Sequence, residues 1–170
     1  MNLLMARSEI EQVVYRYCRG IDRLDRELVR GCYHPDATDE HGGFTGDRDE
    51  FVTWVFALLD RYASTTHLIG NVFIEVDGEV ALCETYGVAT HRGPTGADFD
   101  PRLNLSTGFR YVDRFERRDG TWAIARRIAL VEWSRVETPD TQWSVPDHHR
   151  RGARDRSDPV YWLVPEVRDD

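Results

Sequence analysis

The hydrophobic period of this chain changes once, between Tyr62 and Thr65, and that change decides what it can fold into. Upstream, Ile10, Val13, Val14, Tyr17, Ile21, Leu24 and Leu28 recur at steps of three and four, the spacing of one helix face. Ser8 and Glu11 have the spacing of a capping box, Gly20 and Asp25 suggest a break, and Asp25 is placed to cap a second short helix through about Tyr33. Pro35 biases His34 away from helix, and the glycine-rich run from His41 to Asp47 is turn-like, so this stretch reads as loop. Asp47 or Asp49 then caps a third helix carrying Phe51, Val52, Trp54, Val55, Leu58, Leu59 and Tyr62. Downstream, four strand-like segments follow, at about 65–76, 79–91, 104–116 and 121–137. Asp77-Gly78 and Asp119-Gly120 are hairpin turns between neighbours. Helices first and an antiparallel meander after predict an α+β domain with its helices on one sheet face. A long, twisted sheet wrapped around helices leaves an apolar cavity between the layers, a favourable place for a small-molecule site.

Composition narrows the function classes. The chain's 170 residues suit one domain with a real core. A formal net charge of −8 argues against general affinity for nucleic acid or anionic membrane. No apolar run reaches spanning length, and charged residues follow Met1–Ala6 too soon for a signal peptide. Cys18, Cys32 and Cys83 form no C-x-x-C pair and read as reduced core thiols of a cytoplasmic protein. From Thr138 the pattern dissolves, then recovers over Val160–Val164. Residues 1–137 are therefore expected to form the domain and 138–170 an extension packing over it or over a neighbouring subunit.

Several motifs are absent. The chain has no G-x-G-x-x-G fingerprint, no P-loop lysine after Gly42-Gly43, and no G-x-S-x-G elbow. His34, Asp36, Asp39, Glu40 and His41 cluster in sequence, but without metal-ligand spacing they read as a solvated loop, and no metal site is expected. His148-His149 beside Arg150-Arg151 reads as a surface segment. What remains is Asp22, at the edge of the first helix's apolar stripe, and His67, opening the first strand. A carboxylate at a stripe edge needs a partner if buried, and one that fixes an imidazole's tautomer makes it a better proton acceptor. Tyr17 lies on the stripe and Tyr15 shares a helical line with Asp22, so either could supply a hydroxyl.

Tyr17-x4-Asp22, His67-x3-Asn71 and the block from Gly108 to Arg127 resemble the SnoaL-like branch of the nuclear transport factor two-like superfamily, over roughly residues 10–133. The resemblance implies a cone-shaped α+β barrel with a central apolar pocket. The Tyr/Asp/His set is similar to the sites of lyases of the scytalone dehydratase, bile acid 7α-dehydratase and hexachlorocyclohexane dehydrochlorinase types, which use no cofactor. It implies His67 as proton acceptor, Asp22 as its orienting carboxylate and Tyr17 as hydrogen-bond donor. Arg127 would polarise from the sheet, unless a strand bulge turned Arg126 inward instead. Tyr15, Asn71, Trp54, Phe109 and Tyr111 are the expected substrate-binding residues, an aromatic lining that suits a flat, ring-containing molecule.

The reading implied is a cofactor-independent lyase that eliminates water or a small fragment, such as formaldehyde, from a hydroxylated aromatic, polyketide or steroid-like substrate. An isomerase with the same base, a non-catalytic subunit like the small subunit of ring-hydroxylating dioxygenases, and a ligand-binding protein stay open. The resemblance also implies a homo-oligomer, trimer or dimer.

Overall fold

The computed structural model describes residues 2–93, 104–136 and 145–163. Helix α1 spans Leu3–Arg23, α2 Arg26–Arg30 and α3 Arg48–Leu59. Helix α1 begins earlier than the Ser8 signal suggests: the Asn2 side chain accepts from the Leu4 amide at 3.0 Å, leaving Ser8 inside the helix and its capping box unformed. Nor does Gly20 break the helix. A Cβ there would stand 2.6 Å from Val29 Cγ2, so this glycine lets α2 close onto α1. The turn between them is made at Leu24, in the left-handed region at φ 54°, and Asp25 then caps α2 by accepting from the Leu28 amide. Asp47 caps α3 in a full capping box with Glu50.

The stretch read as loop is instead a hairpin, β1 (Tyr33–His41) and β2 (Phe44–Asp47). The remaining strands are β3 (Ser64–Asp77), β4 (Val80–Arg92), β5 (Leu105–Arg118) and β6 (Thr121–Val136), close to the expected segments. The sheet order is β2-β1-β6-β5-β4-β3. Neighbours are antiparallel except β1 and β6, which run parallel, so the sheet is mixed rather than a pure meander, and it is open rather than closed into a barrel. Asp119 and Gly120, both at positive φ, make the tight β5–β6 turn. Irregularities at Ile69/Val72, Gly108/Phe109 and Arg114/Phe115 interrupt the long ladders, and such bulges bend a sheet and sharpen its twist.

The core fills the space between α1, α3 and the sheet, with Ile10, Val14, Phe51, Leu59, Phe115 and Ile124 all buried. Cys18, Cys32 and Cys83 lie within it as free thiols, and burial raises all three, Cys32 to about 11 and the others to about 12. Among the described residues no helix is long and apolar enough to cross a membrane. In the C-terminal stretch Pro159–Tyr161 forms a 3₁₀ turn, and Arg154 Nη1 donates to the carbonyls of Leu59 and Tyr62 at the end of α3.

Candidate active site

The last turn of α1 and the start of β3 bring together two groups 45 residues apart. The alternation of β3 points Thr65, His67 and Ile69 inward and Thr66 and Leu68 outward. Asp22 meets this face with both oxygens. Oδ1 lies 2.8 Å from His67 Nδ1, and Oδ2 accepts from the His67 backbone N–H, also at 2.8 Å. This two-point grip fixes ring and strand together. It assigns Nδ1–H to the aspartate and leaves Nε2 as the basic nitrogen. Burial pushes the Asp22 carboxyl up, but the hydrogen bond and charge of the His67 ring and the backbone N–H outweigh it, so Asp22 is held below the ordinary range.

His67 lies in the wall of a cavity of about 310 Å³ between the helices and the sheet. Phe109 and Tyr111, alternate residues of β5 with centroids 4.4 Å apart, line it with Tyr17 and Trp54. Tyr17 is 1% exposed, and burial, partly opposed by Arg127, holds its hydroxyl far above the ordinary range, so it stays a neutral O–H. Four of the expected residues thus meet around His67: Tyr17, Trp54, Phe109 and Tyr111. Tyr15 and Asn71 do not join them. Tyr15 is exposed on the far side of α1, and Asn71 lies at the β3 irregularity against a groove on the outer sheet face.

Arg127 faces inward and Arg126 outward, with the bulge falling just before them. Arg127 lies behind the cavity wall, in the corner between the rings of Tyr17 (4.2 Å) and Tyr111 (4.0 Å), which meet edge to face. Its guanidinium forks onto Asp113 at 2.8 and 2.6 Å and reaches the Tyr33 hydroxyl at 3.4 Å. Tyr33 in turn donates to Asp39 at 2.7 Å. Arg127, Asp113 and Asp39 are fully or almost fully buried.

Two cavity histidines escaped the sequence reading. His91 on β4 lies 4.8 Å from the Tyr62 ring and 6.2 Å from His67; burial, then the neighbouring His67, press it down to about 4, so it is neutral. Its period-two relation to Ala89 carries the inward parity that would have found it. His41 belongs to the cluster taken as a solvated loop. That reading is corrected: in β1, Ala37, Asp39 and His41 turn inward, Asp36, Thr38 and Glu40 outward, and His41 lines the cavity. Among the described residues, no three His, Cys, Asp or Glu side chains are grouped so that they could hold a metal ion.

A family model for the SnoaL-like domain matches residues 2–128. The uncharacterized protein Rv2910c of Mycobacterium tuberculosis is 27% identical over 125 residues, 72% of this chain and 82% of its own length. A candidate scytalone dehydratase of Novosphingobium aromaticivorans superposes with a TM-score of 0.70 at 18% identity, covering 87% of this chain and 97% of that one. Hexachlorocyclohexane dehydrochlorinase LinA-type3 of Novosphingobium barchaimii gives 0.71 at 17% identity, covering 84% and 97%. At these identities the structural likeness speaks for the fold.

Proposed function

The chain belongs to the SnoaL-like family, and we propose that within it this protein is a lyase that needs no cofactor, with His67 as its base. Asp22 holds the ring, and His67 Nε2 removes a proton from a carbon or hydroxyl of the substrate. The protonated ring then returns that proton: C–O cleavage expels hydroxide, which takes it up and leaves as water, or C–C cleavage expels a small fragment such as formaldehyde and the carbanion left behind takes it up. Tyr17, kept neutral by burial, donates a hydrogen bond to the oxygen on which charge develops. Arg127 acts through Tyr17 and Tyr111, whose rings it braces, rather than by touching the substrate. The aromatic walls favour a flat, hydroxylated ring compound. Apolar side chains exposed on the outer sheet face, among them Leu68, Phe73, Tyr86 and Trp133, are the proposed contact surface of a homo-oligomer, which light scattering would test.

One observation carries the reading: a doubly gripped imidazole in the wall of an apolar cavity. The names of the dehydratase and dehydrochlorinase neighbours support elimination as the reaction class. The test is turnover of hydroxylated aryl and polyketide-type compounds, followed by product mass. His67→Ala and Asp22→Asn are each expected to lower turnover by about 10²-fold or more, the usual contribution of a positioned acid–base group. Near wild-type rates in both variants would reject the mechanism.

A further inference from the structure

The cavity holds a second aspartate–histidine pair that the proposed chemistry does not use. His41 Nδ1 and Asp39 Oδ1 face each other at 3.5 Å. Both atoms are buried, and neither has a hydrogen-bond partner among the described residues. Two unsatisfied polar atoms this close are one small displacement from satisfying each other, and an unpaired buried group has reason to make it. Asp39 is itself anchored from behind through Tyr33 to Arg127, so the carboxylate is a fixed base for the ring above it. The His41 ring is stacked on Phe51 (5.4 Å) and set against Tyr111 (5.8 Å). With Nδ1 turned toward Asp39, Nε2 is the ring nitrogen left for the cavity.

His67 meets Phe109 at 5.8 Å, Phe109 meets Tyr111 at 4.4 Å, and Tyr111 meets His41. Two aromatic rings, tilted 35° to each other, therefore form a row with an aspartate-backed imidazole at each end. We propose that His41, oriented by Asp39, is a specificity-determining anchor that binds an oxygen of the substrate at the end remote from His67. A neutral Nε2 accepts from a hydroxyl there, and a protonated one donates to a carbonyl or phenolate oxygen. The substrate class is thereby narrowed to flat compounds oxygenated at both ends. This rests on the reading of the cavity as the substrate site with His67 as its base.

The test is calorimetric binding of two probes to the full chain: biphenyl-4-ol, with one oxygen, and biphenyl-4,4′-diol, with one at each end. Wild-type protein is expected to bind the diol about tenfold more tightly, the return of one added hydrogen bond. His41→Phe keeps the ring stacking and should reduce that advantage to within about threefold, while His41→Gln, which retains an acceptor and a donor, should keep most of it. In the wild-type protein the His41 ring nitrogens, followed by long-range ¹H–¹⁵N NMR, should shift with the diol, a readout that does not depend on either variant folding. No diol advantage in the wild type, an advantage that survives in His41→Phe, a silent His41 ring, or failure of both probes to bind would each overturn the proposal. If His41→Phe abolishes the advantage while His67→Ala retains both the advantage and turnover, the anchor stands and the assignment of His67 as base falls.

Discussion

The three cavity histidines differ in what surrounds them, and His91 makes the difference measurable. Its neighbours hold it neutral down to about 4, whereas in the unfolded chain it titrates near 6.5. As pH falls through 6.5 the unfolded state takes up a proton that the folded state refuses until about 4. His91 therefore subtracts stability progressively between those values, by roughly 3 kcal/mol at most, and subtracts nothing above them. Urea unfolding at pH 7, 6 and 5 should show this loss in the wild type and a flatter profile in His91→Gln; parallel profiles would refute it. Asp22 contributes with the opposite sign, stabilising where His91 destabilises, although its effect too runs down on acidification. Its folded carboxyl is held below the ordinary range, so its contribution is present above the unfolded value near 3.9 and is lost as pH falls through the folded one. Asp22→Asn should erase that increment, as urea unfolding below the unfolded carboxyl value would show. Neither residue's electrostatics was legible in the sequence: the parity of β3 and β4 could place both imidazoles inward, but not set them ring to ring.

At the scale of elements, period and caps read well wherever the buried face is apolar. Helices α1 and α3 and strands β3 to β6 announced themselves because burial there selects hydrophobic side chains at helical or alternate spacing. The β1–β2 hairpin did not, because its inward face carries Asp39 and His41, polar residues buried by pairing rather than by hydrophobicity. Pattern rules therefore failed at the strand that brings polar groups to the cavity. Two elements offer direct tests. Asp47 caps α3 through the amides of Asp49 and Glu50, so Asp47→Ala should cost about 1 kcal/mol in chemical denaturation. Gly87 on β4 faces Phe109, whose ring would lie 2.4 Å from an added Cβ. Gly87→Ala should displace that ring, destabilise by about 1–3 kcal/mol and weaken binding of aromatic ligands. Unchanged stability and binding would mean that the cavity floor yields freely.

Over the whole molecule, a buried ionic network ties the sheet to the long helix alongside the apolar core. Arg127 from β6 touches Asp113 on β5, Tyr33 on β1 and the Tyr17 ring on α1, so one guanidinium is shared by three strands and the long helix. The resemblance placed Arg127 in the chemistry; the packing makes it the counter-charge that lets two aspartates lie in the interior. Removing one partner of such a pair is far more damaging than replacing both, because it strands an uncompensated charge. Arg127→Met should therefore destabilise by about 3–5 kcal/mol, measured by denaturant unfolding. Adding Asp113→Leu should restore more than half of that loss. Recovery should stop short of the wild type because Asp39, linked to Arg127 through Tyr33, remains buried without its cation. Adding Asp39→Asn should then close most of the remaining gap. If Arg127→Met alone lies within about 1 kcal/mol of the wild type, the network is not the tie between helix layer and sheet, and the two aspartates must find their compensation in water or in altered protonation instead.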